Sequence, residues 1–251
     1  MRSGHCHFLG DVANGVRELL AAVRERAERG CEVVTVMVNG GRLTPGSSVH
    51  DSQYDLADLR LIVTEAHRLG LRTAAHVHNP RSVADADEAG VDALEHVTFR
   101  TAHGVIADAA TMDAIAESGA VVSATVGEVP HRWDMPASLA RRLEIVIESW
   151  ARLHRRGVRI VPGTDAGVFP SKPHGVLPYG LTALGGLGMT NLEALRAATS
   201  VAAAACGLTG HRGRLIPGAD ADLIAVTGDP LADIRAVHNV VGVIRAGQPV
   251  C

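Results

Sequence analysis

Along most of the chain the apolar residues recur with a helical period, stop at a glycine and resume as a short β-branched run. In residues 12–29, Val16, Leu19, Leu20, Val23 and Ala27 fall on one helical face, Gly30 stands where a left-handed residue closes a helix, and VVTVMV follows at 33–38. Asp55 is placed to cap a helix on which Leu59, Ile62, Val63 and Ala66 share a face; Gly70 ends it and TAAHV follows at 73–77. The segment after Pro80 ends at Gly90 before VDALEHV, and the one after Asp108 ends at Gly119 before VVSAT at 121–125. The helix carrying Leu143, Val146, Ile147 and Trp150 ends at Gly157 before VRIVPG at 158–163. Five αβ units in succession predict a parallel sheet with helices outside, wound right-handed into a barrel or an open doubly wound sheet.

His76, His96 and Asp165 each fall where one of these strands runs out, which is where a (β/α)8 barrel keeps its chemistry. A dinucleotide-binding sheet needs a G-x-G-x-x-G turn after a strand; the sequence has none, and GGLG at 185–188 follows no strand. The fold expected is therefore α/β, a partial TIM-type (β/α)8 barrel, since eight strands take about 250 residues and only five are readable by residue 163. Thr190 and Glu193 form a capping box, T-N-L-E, opening a helix towards Cys206-Gly207. From Gly213 the pattern changes to a turn, PGADAD, a strand, LIAV at 223–226, a break at Gly228-Asp229-Pro230, and a last strand, VVGVIRAG at 240–247. So few strands build no core of their own. The expected division is a barrel-like part, 1–207, and a strand segment, 208–251, that packs on the barrel or pairs with strands from elsewhere.

Composition narrows the partners. A formal net charge of −3 over 251 residues gives no electrostatic basis for binding nucleic acid or an anionic membrane. With 47% hydrophobic but only 3% aromatic residues, the core is left to Ala, Val, Leu and Ile. Cys6, Cys31, Cys206 and Cys251 form no C-x-x-C pair and read as reduced thiols of a cytosolic protein. No apolar run approaches the ~20 residues that span a bilayer, and MRSGHCHFLGD lacks the apolar stretch of a signal peptide, so a cytoplasmic protein is expected.

Imidazole plus carboxylate is the ligand set of a hydrolytic metal site. Taken without the histidines, Asp165 in PGTDAG reads as an Asx-turn former between glycines. Four stretches together carry a resemblance: AAHVHNPRSVADADEAGVDALEHVTF at 74–99, VPGTDAGV at 161–168, NLEALRAATS at 191–200 and IPGADADLIAVTGDPLADI at 216–234. They resemble the metal-dependent amidohydrolase superfamily, particularly its imidazolonepropionase and prolidase-like (Xaa-Pro dipeptidase) branch. The resemblance implies that His76 is the metal ligand on strand five, His96 the ligand on strand six, and Asp165 the strand-eight aspartate that touches metal and moves protons. It further implies that the chain holds strands 4 to 8 of the barrel, incomplete at its N-terminal end. The closing strands then belong to the family's small β-sandwich.

Two departures qualify the ligand set. His5-Cys6-His7 imitates the His-x-His of the family's first strand, yet by its place before the first helix it resembles a GGHxHF segment of the family instead. In the stretch resembling I-K-V-M-x-x-G-G, Thr35 stands where relatives carry a lysine that is carbamylated to bridge two metals. The cofactor implied is one divalent metal, zinc, and the reaction is hydrolysis of a C–N bond in a small amide, cyclic amide or dipeptide by metal-activated water. Asp165 is the expected catalytic group, accepting the water proton and returning it to the amine. His7, His78, Arg81, His131 and His174 are the candidates for substrate contacts, with His131 or His174 placed to polarise the carbonyl. The alternative is a non-catalytic remnant or interaction subunit, because a partial barrel exposes sheet edges and an apolar seam. Either way an oligomer or a partner chain completing the barrel is expected.

Overall fold

The repeated helix–glycine–strand order becomes a parallel α/β sheet. A computed structural model of the chain describes residues 4–10, 12–41, 44–130 and 136–250, so His131 and Cys251 lie outside the described residues. Two compact units emerge, residues 1–122 with 141–158, and residues 123–140 with 159–251.

The first unit runs α1 (Gly15–Glu28), β1 (Val33–Met37), α2 (Leu56–Arg68), β2 (Arg72–Val77), α3 (Pro80–Glu88), β3 (Ala93–His96), a small hairpin of β4 (Arg100–Thr101) and β5 (Gly104–Val105), and α4 (Ala109–Ser118). β6 (Val121–Ala124) leads from it into the second unit, and α5 (Ala137–Arg155) leads back. β1, β2 and β3 are parallel neighbours, with Met37 opposite His76 and Val77 opposite His96. β2 is buried from Thr73 to Val77, as a strand covered on both faces should be.

The helix starts are set locally. The side chains of Asp55, Asn79 and Asp108 accept from the backbone N–H of Asp58, Ser82 and Thr111, and such a cap stabilises a helix by about 1 kcal/mol. α4 stops at Gly119, whose φ of 74° is a conformation that costs a side-chain-bearing residue roughly 1–2 kcal/mol. On α5, Val146, Trp150 and Leu153 are buried, each contributing on the order of 1.5–3 kcal/mol from apolar surface removed from water. Trp150 does more than fill space: its indole Nε1–H donates to the His96 carbonyl at 2.9 Å, so the helix fixes the end of β3.

The second unit contains the end of β6 and β7 (Ile160–Pro162), whose following residue, Gly163, donates its N–H to Ala124 O at 2.9 Å. A side chain at Gly163 would meet the Ser123 hydroxyl, so glycine lets the two strand ends approach this closely without displacing that side chain. Then come α6 (Leu177–Leu184), α7 (Asn191–Arg196), a π-helical turn over Ala197–Val201, and α8 (Ala202–Ala205). The Thr190–Glu193 capping box is present as expected, with both reciprocal bonds formed. β8 (Leu223–Val226), β9 (Val240–Arg245) and β10 (Gln248–Pro249) form an antiparallel sheet in the order β10-β9-β8, with a bulge between Ala225 and Val226. Ile224 and Val241 on it are exposed. No described helix is long and apolar enough to cross a membrane.

Candidate metal centre

β2 and β3 deliver three imidazoles to one place. His76 lies in β2, His78 directly follows it, and His96 ends β3; their ligand nitrogens all lie within 4.8 Å of one another. The rings of His76 and His96 have centroids 4.6 Å apart and nearly perpendicular, while His78 and His96 stack at 4.8 Å. The parallel register explains the convergence. His96 sits opposite Val77, one step past His76 and one before His78, so the three occupy the same level of adjacent strand ends. His76-Val77-His78 thus has the spacing of a His-x-His pair, and His78, a candidate substrate contact in the sequence, lies beside His76 and His96 in the group of side chains that could hold a metal ion.

Polar groups behind the rings aim them. The imidazole Nδ1 of His78 is hydrogen-bonded to Thr98 Oγ1 at 2.8 Å, which engages that nitrogen and leaves Nε2 as the one that could face a metal ion. The backbone N–H of His78 donates to Asn39 Oδ1 at 2.6 Å, and Asn39 Nδ2 donates in turn to Ser82 Oγ at 2.8 Å. His78 titrates well below the usual histidine range, because burial disfavours its cation and the positive potential of His96, His76, Arg100 and His5 adds to that penalty. A neutral imidazole at pH 7 is the form that binds metal. Backbone strain marks the same place: His96, Val97 and Phe99 have φ of 68°, 48° and 49°, conformations costing of order 1–3 kcal/mol each when the residue is not glycine.

His5 also belongs to this neighbourhood. It is buried, its ring lies 5.0 Å from that of His76, and its Nε2 is 3.4 Å from Cys6 Sγ. The ring occupies the space a side chain on Gly41 would fill, and one on Gly40 would meet the Ser48 backbone, which gives each glycine of the pair a physical reason. His7, the histidine singled out in the sequence, is instead exposed, with Nδ1 hydrogen-bonded to Gly4 O at 3.0 Å. The left-handed Cys6 between them, φ 54°, turns the two apart. The glycine pair was the available signal for His5.

The remaining candidates separate. Arg81 is 79% exposed and pairs with Asp85 on its own helix. Thr35 is exposed on β1, opposite Ala74. Asp165 and His174 belong to the second unit, where Asp165 follows β7 with φ 51° and His174 lies against Gly167. A set of three imidazoles suits Zn²⁺ or a related divalent ion and resembles catalytic sites that keep one position open.

Comparison with known proteins shows the family. The model of the amidohydrolase family matches residues 4–250. Ochratoxinase of Aspergillus niger is 33% identical over 244 residues, covering 91% of this chain and 47% of that protein. Its crystal structure superposes with a TM-score of 0.78 at 30% identity, covering 95% of this chain and 55% of that one. A Xaa-Pro dipeptidase with methionine bound in its active site superposes with a TM-score of 0.81 at 28% identity, covering 95% and 59%. The chain spans about half the length of the curated relatives it matches.

Proposed function

Because this chain belongs to the amidohydrolase family, we propose that it serves a metal-dependent hydrolysis of carbon–nitrogen bonds in small amides, cyclic amides or dipeptides. The observation that carries the reading is the convergence of His76, His78 and His96 at two strand ends. These three would hold a divalent ion, zinc in this proposal, and when bound it supplies a Lewis acid that lowers the pKa of water and polarises a carbonyl. Thr98 and Asn39 orient His78, Trp150 anchors His96, and burial keeps His78 neutral and ready to ligate. Asp165 is the proposed proton carrier and a further metal contact, taking a proton from the attacking water and delivering it to the departing amine. His174 is the proposed contact to the substrate carbonyl.

The proposed architecture is a partial (β/α)8 barrel over residues 1–207, in which β1, β2, β3, β6 and β7 are strands four to eight. Residues 208–251 would contribute strands to a small β-sandwich, for which exposed Ile224 and Val241 offer an apolar face. The relatives named above are an ochratoxinase and a Xaa-Pro dipeptidase, and the second name states a dipeptide substrate, which is why dipeptides are included in the proposed substrate class; a cytoplasmic location is part of the same proposal. A second reading, a non-catalytic subunit that pairs with another chain or with itself, draws on Thr35 at the bridging-lysine position and on Val33, 48% exposed on β1.

Elemental analysis of protein purified without chelators, beside the His76→Ala, His96→Ala double variant, tests the centre. About one zinc per chain in the parent and none in the variant is expected. Equal metal in both would sink the ligand assignment. Incubation of the zinc-loaded protein with Xaa-Pro dipeptides and N-acyl amino acids then separates the hydrolase from the non-catalytic subunit.

A further inference from the structure

We propose that Lys172 is a positioning residue for Asp165: its ammonium gathers the ends of β6 and β7 and holds the peptide that carries Asp165. The functional part of this rests on the reading of Asp165 given above, whereas the geometry stands without it. Lys172 is only 5% exposed. Its Nζ donates to Thr125 O at 2.8 Å, Gly127 O at 3.1 Å and Thr164 O at 3.4 Å. An ammonium has three N–H donors and a neutral amine two, so three carbonyl acceptors call for the charged form. Burial lowers the pKa of this lysine, and the nearby carboxylates of Glu128 and Asp165 oppose that.

The connectivity gives the lysine its role. Thr125 and Gly127 follow β6, and the Thr164 carbonyl belongs to the very peptide unit whose nitrogen is that of Asp165. The main chain of Lys172 grips the other side, because Gly167 donates its N–H to Lys172 O at 2.7 Å. Residue 172 therefore holds the chain immediately before and two residues after Asp165. Between these grips Asp165 has φ 51°, a conformation a non-glycine residue keeps only when its surroundings impose it.

The sequence supplies an independent argument. Among the 24 lysines and arginines of the chain, Lys172 is the one lysine; every other cation is arginine. A guanidinium is a planar fork suited to carboxylates and phosphates, whereas an ammonium is a compact point charge with three divergent donors. A cradle of three backbone carbonyls around one buried atom fits the second and excludes the first. Burying an ammonium is costly unless it is hydrogen-bonded, and a methionine would fill the same volume without that cost. What the lysine adds over methionine is its hold on these carbonyls.

Amide hydrogen exchange on the full chain tests this, using Lys172→Met, Lys172→Arg, and Lys172→Cys alkylated with 2-bromoethylamine, beside the parent given the same alkylation. The last restores an ammonium on a side chain of equal length. In the Met and Arg variants, exchange at Gly167 should rise by about 10-fold or more, with the strands at 223–245 unchanged. The aminoethylated variant should return to the parent rate. Unchanged exchange at Gly167, protection by arginine equal to lysine, or failure of aminoethylation to restore it would each overturn the proposal. So would acceleration spread evenly over the second unit, or failure of the variants to fold, since Lys172 would then hold the whole unit. In the zinc-loaded protein with a Xaa-Pro dipeptide as probe, Lys172→Met should lower kcat with little change in KM, and should add nothing to Asp165→Asn. An effect that persists undiminished in the Asp165→Asn background counts against positioning. No hydrolysis by the parent would remove the assigned substrate class while leaving the exchange result to decide the geometry.

Discussion

Thr98→Val isolates one hydrogen bond behind the metal ligands. Thr98 is buried, its Oγ1 lies 2.8 Å from His78 Nδ1, and valine preserves the shape while deleting the oxygen. Two effects follow. Leaving a ring nitrogen without its partner costs about 1–3 kcal/mol when fully buried, and the lower end applies because His78 is partly exposed. Releasing the ring also lets it turn away from the orientation that presents Nε2; loss of such a supporting partner lowers metal affinity about 10–100-fold, or roughly 1.4–2.7 kcal/mol. Competition of the protein with a chromophoric chelator for zinc measures the affinity, and urea unfolding of the metal-free protein measures the stability. Thr101→Val, which removes a hydroxyl bonded to Gly104 O in the β4–β5 hairpin, is the control and should leave zinc affinity alone. Parent-like zinc affinity in Thr98→Val, together with the expected loss of stability, would refute the claim that Thr98 sets the ligating nitrogen.

Trp150→Phe removes the donor to His96 O and leaves space behind β3, and about 2–4 kcal/mol of destabilisation is expected in urea; a change under about 0.5 kcal/mol would show that α5 does not anchor His96. Gly41→Ala should displace the His5 ring and cost about 1–3 kcal/mol, with the His76 ring resonances shifting in NMR spectra; an unshifted His76 would separate His5 from the cluster. Asp92 accepts from the N–H and hydroxyl of Thr73 and from His67 Nε2, and lies 3.4 Å from Arg72. Burial pushes its pKa up, but these partners outweigh burial and hold it below the ordinary aspartate value. Its contribution is therefore full above the unfolded-state pKa, near 3.9, and is lost as pH falls through the lower folded value. Asp92→Ala should weaken the protein near neutrality and flatten the acid arm of its stability curve; an acid arm as steep as the parent's would show that Asp92 carries none of it.

The architecture was legible because its determinants are local. Asp55 and the Thr190–Glu193 box act on backbone groups three residues away, Gly119 acts on its own φ, and β2 is a short apolar run between turn signals, so each reads from a window of a few residues. His76 and His96 were visible for the same reason, as polar residues at the ends of apolar strands. The rest of the site depends on pairs far apart in the chain. His78 joins the cluster because β2 and β3 share a register that sets His96 between it and His76 in level. His5, not His7, approaches His76 because Gly41 leaves a space, 36 positions further on, that no local pattern reveals. Lys172 is conspicuous in the sequence as the one lysine, yet only folding shows that Thr125, Gly127 and Thr164 surround it. The sequence by itself determined the repeated helix–glycine–strand segments and the capped start at Thr190, since capping, glycine conformation and apolar period are short-range effects, whereas the β4–β5 hairpin, α6 and the π-helical turn at Ala197–Val201 were not read from it. The tertiary structure alone decided which imidazoles meet, which ring nitrogen Thr98 engages and what the buried ammonium holds, because those are set by strand register and by side chains that fill one another's space.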